Sequence, residues 1–242
     1  IFNWYNLNKN KLYYPWSEDL ISRRLINIIY NFEFINSSSS ASDAKLLNKI
    51  ILIHMHRVIY DFRRKRISQI TSYDLIAYLI SCLVLKKDNK IIKEKIELIV
   101  SNQIDFLGVH KSYNILEHAK FINNLNEIKN IYLFFNYRPS ILIDKTIIKM
   151  NSILNEYFHK DGTIPLFNGA NNNYTKMIHN SLNKEEYLKS RKFSDASNGI
   201  AFYSDNKKSL FFDVVQPIRD NTSRNLSAGT LSFEFSCLGE KI

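Results

Sequence analysis

Cysteine is nearly absent from this chain. Its two copies in 242 residues, Cys82 and Cys237, lie far apart. That excludes a disulfide framework and any zinc site built from closely spaced thiolates, and both residues read as buried thiols. Glycine is scarce too, at six residues. With the heavy use of Ile, Asn and Lys, this marks a chain encoded by AT-rich DNA. Long apolar runs are also missing. The best candidate, Leu75 to Leu85, is interrupted by Tyr78, Ser81 and Cys82 and falls short of the roughly 18–20 residues that a membrane-spanning helix needs. No internal repeat of fixed length is visible. Paired histidine ligands are absent: His54 and His56 are two apart and face different sides of a helix, so they form no i,i+4 metal pair. His54 falls on an apolar face and reads as a packed core residue, His159 beside Asp161-Gly162 reads as turn chemistry, and His179 has no partner nearby in sequence. Neither a metal nor a cofactor is expected.

Acidic residues are outnumbered. Lys and Arg total 33 against 23 Asp and Glu, giving a net charge of +10 and a pI of about 9.4. Such a balance suits nucleic acid, anionic lipid or an acidic glycan, although codon bias also accounts for it. The densest basic run, Arg63-Arg64-Lys65-Arg66, reads as a solvated helix C-terminus whose cations complement the helix dipole. A nucleic-acid-binding role would rest on this charge alone and is not expected.

The chain is 45% hydrophobic and 13% aromatic, so it can bury a core. Residues 1–16, with Trp4, Tyr5, Tyr13, Tyr14, Pro15 and Trp16, lack a clear period and read as an aromatic segment packed over helices. Ser17 before Glu18 and Asp19 predicts a capped helix start, and Leu20, Ile21, Leu25, Ile28, Ile29 and Phe32 follow at helical spacing. Further helices are predicted over about 42–64, from Thr71 or Ser72 to about Val84, over 90–104, from about Asn114 to Phe135, and from near Pro139 to Phe158. Proline is tolerated in a first turn. After Ser190 the texture changes. Residues 199–203 and 209–215 read as a β-hairpin, and an alternating strand follows over 229–236.

Helices first and strands afterwards predict an α+β chain of two domains: a helical one over residues 1–190 and an antiparallel β-domain over 191–242. The first residue is Ile1 and the last strand closes no sheet, so both domains are expected to be truncated. Successive helices joined by short loops fit a bundle, a solenoid or an α/α toroid.

Four stretches, in order, resemble the heparinase II/III-like family, and the resemblance covers nearly the whole chain. They are Tyr14-Pro15-Trp16-Ser17 with Ser22-Arg23-Arg24-Leu25; Gly108-Val109-His110-Lys111-Ser112 leading to His118; Asp161-Gly162-Thr163-Ile164-Pro165-Leu166-Phe167-Asn168-Gly169; and Gly229-Thr230-Leu231-Ser232-Phe233-Glu234-Phe235. The resemblance implies an N-terminal α/α toroid followed by an antiparallel β-sandwich. It also implies a bacterial polysaccharide lyase of the periplasm or cell envelope that cleaves an acidic, uronate-containing glycan by β-elimination. That reaction needs the uronate carboxylate neutralised, a base for the C5 proton and an acid for the leaving oxygen.

The candidate site is the cluster His110, Tyr113, Asn114, Glu117 and His118, whose spacing places most members on neighbouring turns. In the lyase reading Tyr113 is the proton donor, and His118 or His110 is the base or carboxylate neutraliser. Asn114, Glu117 and Asn168 contact substrate. The competing reading makes the cluster polar caps and satisfied helix residues, and places Asn168 in a loop of left-handed asparagines. Glu117 stands where lyase members carry Tyr, and Asn225 to Gly229 lack the family's His and Asp. These departures imply the alternative function, a catalytically inactive glycan-binding or scaffold protein of the same fold.

Overall fold

The computed structural model describes residues 1–11, 14–37, 39–159, 161–171, 173, 175–176, 178, 193–194, 199–205, 207–215 and 231–242. The domain boundary expected at 190/191 lies outside them. The chain forms two compact units, residues 1–96 with 130–137, and residues 97–129 with 138–242.

The first unit contains α1 (Phe2–Asn8), α2 (Glu18–Tyr30), α3 (Phe32–Ser37), α4 (Ala41–Arg64), α5 (Ser72–Val84) and the start of α6 (Asn89–Gln103). The amphipathic period sets which face of α4 turns inward: Leu47, Ile50, His54 and Val58 are buried on one stripe. Each such apolar side chain contributes about 1.5–3 kcal/mol by leaving water. α5 is buried continuously from Asp74 to Leu83, which makes it the central helix, packed against α4 and α2. Its start is fixed by a capping box between Thr71 and Asp74. Asp74 also accepts from Ser22 Oγ of α2 at 2.7 Å and pairs with Lys65 at 2.9 Å, so one buried carboxylate joins three chain segments. The Lys65 expected in a solvated basic run is thus withdrawn from it, with a side chain only 6% exposed, whereas Arg63 and Arg64 end α4 in solvent.

The N-terminal aromatic segment does pack over the helices, but part of it is itself helical. α1 escaped the periodicity because it is seven residues long and buries only Tyr5, too little to print a period. Trp16 donates from Nε1 to Asn8 O at 2.8 Å, and Trp4 and Trp16 lie 6.1 and 5.1 Å from the His54 ring. Ser17 precedes α2 in an extended conformation, yet its side chain makes no capping bond.

The second unit holds the end of α6, most of α7 (Ile115–Phe134), α8 (Ile141–Glu156) and a five-stranded sheet. α8 starts two residues after Pro139, where Ser140 Oγ accepts from Leu142 N–H at 3.1 Å. It buries Ile143, Ile147, Met150 and Leu154 on one face. The sheet is antiparallel throughout, in the order β1 (Phe193–Ser194), β2 (Ile200–Ser204), β3 (Lys208–Asp213), β4 (Phe233–Cys237) and β5 (Glu240–Lys241). The predicted hairpin is β2–β3, with Phe202 opposite Phe211. Both phenylalanines are buried, with Tyr157 edge-on to Phe202 and His159 edge-on to Phe211. Tyr203, Phe212 and Phe233 face the other way and are exposed, as a period of two requires.

Candidate functional site

The loop between α6 and α7 carries three of the six candidate side chains, His110, Tyr113 and Asn114, and its shape is set locally. Asp105 Oδ1 accepts the backbone N–H groups of Leu107, Gly108 and Val109 at 2.8–2.9 Å, a turn that short acidic side chains favour. Gly108 has φ +98° and lies against the Lys149 backbone, where a Cβ would not fit. Ile104 and His110 then pair as an antiparallel bridge. Tyr113 turns the chain with φ +51°, and Asn114 caps α7 by accepting Glu117 N–H at 3.1 Å.

These constraints bring Tyr113, Asn114, His110 and His118 around one small cavity, closed by Val109, Ile115, Tyr157 and Ile200. Its volume of about 10 Å³ is about that of one water, so a sugar ring does not enter. His118 is buried; its Nε2–H donates to Met150 O at 2.9 Å, and its Nδ1 accepts His110 N–H at 3.3 Å. His110 Nδ1 accepts from Ser112 N–H at 3.2 Å and meets Ser112 Oγ at 2.8 Å. Burial pushes both imidazoles down to about 4, so they are neutral near pH 7. Tyr113 is half-buried. Burial, then the nearby Asp105 charge, raises its hydroxyl above the ordinary value, so it keeps its proton. Its ring lies against Gly199, φ +73°, where any Cβ would overlap it.

Asn168 reaches the same place from the 157–170 loop. It is left-handed, φ +54°, as the asparagine-loop reading expected. Asn114 Nδ2 donates to Asn168 O at 2.6 Å, and Asn168 Nδ2 donates to Tyr113 O at 3.3 Å. The structure therefore gathers His110, Tyr113, Asn114, His118 and Asn168. Glu117 is placed differently: its carboxylate pairs with Lys120 at 2.7 Å, with both side chains more than a third exposed.

Two groups were missed. Asp213, at the end of β3, is buried and raised by burial, opposed by hydrogen bonds from Val215 N–H and Asn168. The alternation Ser209, Phe211, Asp213 on one face was the available signal. The other is a knot around His159, which the sequence presents as a turn residue. His159 Nδ1 lies 2.9 Å from Ser236 Oγ and its Nε2 lies 3.2 Å from Glu234 Oε2. Glu234 also accepts Leu166 N–H at 2.7 Å and pairs with Lys241. Burial works against the charged Glu234, but the bonds from His159, Lys241 and Leu166 outweigh it and hold the carboxyl below its usual range. This knot ties the 157–170 loop, and Asn168 with it, to β4. No sequence spacing reports it, because its partners are about 75 residues apart.

Among the described residues, no group of three or more His, Cys, Asp or Glu is placed to hold a metal ion. No helix among them is long and apolar enough to cross a membrane.

The buried imidazoles predict an acid sensitivity. His54, His110 and His118 are each lowered to about 4 chiefly by burial, against about 6.5 in an unfolded chain. Between these values the unfolded state binds more protons, so stability is full above about pH 6.5 and falls as pH drops towards 4. Urea midpoints measured from pH 7.5 to 4.5 should decline over that window. His54→Gln should reduce the slope by up to one proton; an unchanged slope would mean that His54 is not buried neutral.

Two solved structures share this architecture. One is heparan sulfate lyase HepC from Pedobacter heparinus, with a TM-score of 0.63 and 13% identity over 93% of this chain and 40% of that one. The other is heparinase III, with a TM-score of 0.66 and 13% identity over 99% of this chain and 45% of that one. The chain thus spans less than half the length of either. The likeness establishes a common fold, helices followed by an antiparallel sheet, and with it a distant structural relationship to these lyases. No family model matches the sequence, and no curated protein does.

Proposed function

We propose that this chain belongs to a protein that cleaves an acidic, uronate-containing polysaccharide by β-elimination. The observation that carries the proposal is the convergence, on a lyase fold, of Tyr113 with His110, His118, Asn114 and Asn168. In this reading the Tyr113 hydroxyl, held protonated by its surroundings, gives its proton to the leaving glycosidic oxygen. His118 or His110 takes the C5 proton or neutralises the carboxylate. Glu117, the partly exposed member of the set, contacts the substrate, and Asn114 and Asn168 hold the loop that carries Tyr113.

One observation favours a second reading. Both imidazoles already spend ring nitrogens on the protein: His118 on Met150 O and His110 N–H, and His110 on Ser112. A ring locked in this way positions a loop more readily than it moves a proton. That is the pattern of a catalytically inactive glycan-binding or scaffold protein of the same fold. Incubating the full-length protein with a panel of uronate polysaccharides, and following ultraviolet absorbance of the unsaturated product, separates the two. A rise with one substrate establishes the lyase. A flat trace from folded protein that is still retained on a glycan column selects the second reading, and a flat trace without retention rejects both.

A further inference from the structure

α4 buries one stripe and exposes another. On the exposed stripe Lys45, Lys49, Leu52, His56, Tyr60 and Arg63 recur at helical spacing, all in solvent. Two open grooves run along it in the first unit. One, of about 700 Å³, has Lys45, Lys49, His56 and Arg57 in its walls. The other, of about 490 Å³, shares His56 and Tyr60 and adds Arg63, Arg64 and Lys87. No carboxylate lines either groove. Asp61 is the acid that pairs with Arg57 across one turn, at 2.9 Å, and its side chain is only 6% exposed. A solvated helix face ordinarily mixes signs in i,i+4 pairs; this face carries one sign over about 28 Å of helix.

The shape of the charge limits the occupant. A low-dielectric groove of one sign focuses its field on a ligand of the opposite sign, and a stripe this long fits a linear polymer rather than a small anion. Tyr60 is the aromatic group in both grooves. The guanidinium carbons of Arg57 and Arg64 lie 5.7 and 5.1 Å from its ring centroid, which takes up the ring where a base-stacking platform would need it free.

We propose that the exposed face of α4 is a docking stripe for a linear polyanionic glycan, held by Lys45, Lys49, Arg57, Arg63, Arg64 and Lys87. The choice of a glycan over another polyanion rests on the acidic-polysaccharide reading above; the stripe itself rests on the charge and the grooves. It engages the polymer by charge along its length.

The test uses the full-length protein and a fluorescent heparin oligosaccharide titrated at several salt concentrations. One variant combines Lys45→Gln, Lys49→Gln, Arg63→Gln and Arg64→Gln. A second removes the same charge elsewhere, through Lys145→Gln, Lys176→Gln, Lys207→Gln and Lys208→Gln, all at exposed positions. The stripe variant should raise Kd at least tenfold and flatten its salt dependence, because fewer counterions are released on binding. The second variant should change Kd less than threefold, with unfolding midpoints of both variants checked against the parent. Equal losses in the two variants would overturn the stripe in favour of bulk charge, and absence of binding by the parent would overturn it outright. Tighter binding of duplex DNA than of heparin would overturn the glycan assignment. Binding is read without turnover, so stripe-dependent affinity with a flat lyase trace sinks β-elimination and keeps the stripe.

Discussion

Replacing Asp74 by alanine is expected to destabilise the protein by about 3–5 kcal/mol, the usual consequence of breaking a buried ion pair by removing one member. Asp74 is 4% exposed and accepts from Ser22 Oγ, Lys65 Nζ, Thr71 N–H and Thr71 Oγ1 at 2.7–2.9 Å. Its removal takes the carboxylate away from the Lys65 ammonium, uncaps α5 and leaves the Ser22 hydroxyl without its acceptor inside the helix packing. Against a typical total stability of about 5–15 kcal/mol, that is a large fraction. The urea midpoint should fall with little change in slope. Thr71→Ala, which removes one cap and leaves the ion pair, should cost only about 1 kcal/mol. Joint replacement, Asp74→Leu with Lys65→Met, should recover most of the loss, since no charge is then buried alone. A midpoint for Asp74→Ala within 1 kcal/mol of the parent would show that the Lys65 ammonium is satisfied without Asp74.

Tyr113→Phe is expected to lower kcat on a cleaved glycan by about 10²–10⁴-fold, the range for loss of a general acid, with glycan affinity unchanged within about twofold. The ring keeps its place over Gly199 in the variant, so packing is conserved and only the hydroxyl goes. The parent's pH profile carries an independent check. The hydroxyl must be protonated to act, and burial together with Asp105 raises it above its ordinary value. Activity should therefore persist past about pH 10 before falling, as far as the protein stays folded. Unchanged kcat in Tyr113→Phe would remove Tyr113 from the chemistry and leave it a packing residue of the loop.

The fold was legible where a segment's own period decides its burial. The helices predicted over 42–64, from Thr71 to Val84 and over 90–104 agree with α4, α5 and α6 within a residue or two, because amphipathic stripes and caps are local properties. The β2–β3 hairpin was legible for the same reason, its strands being joined by the short polar stretch Asp205 to Lys207. α1 was not, since a seven-residue helix with one buried side chain prints no period. The candidate cluster was half legible. The spacing of His110, Tyr113, Asn114 and His118 along one loop and helix start suggested convergence. It did not suggest that His118 would spend its proton on Met150 O, 32 residues away.

By itself, then, the sequence determined the order of helices and strands, the inward and outward faces of α4 and α8, the absence of a disulfide framework and the positive balance of charge. Each follows from composition or from a local period, one helix turn or two strand residues. Only the tertiary structure decided the partners. It placed Asp74 against Lys65 and Ser22, joined His159 to Glu234 and Ser236, and seated Asn168 between Asn114, Tyr113 and Asp213. These pairings depend on which segments meet, and that is set by burial of the whole apolar surface. The same His or Asp therefore reads as a turn, a cap or a catalyst until its neighbours are known.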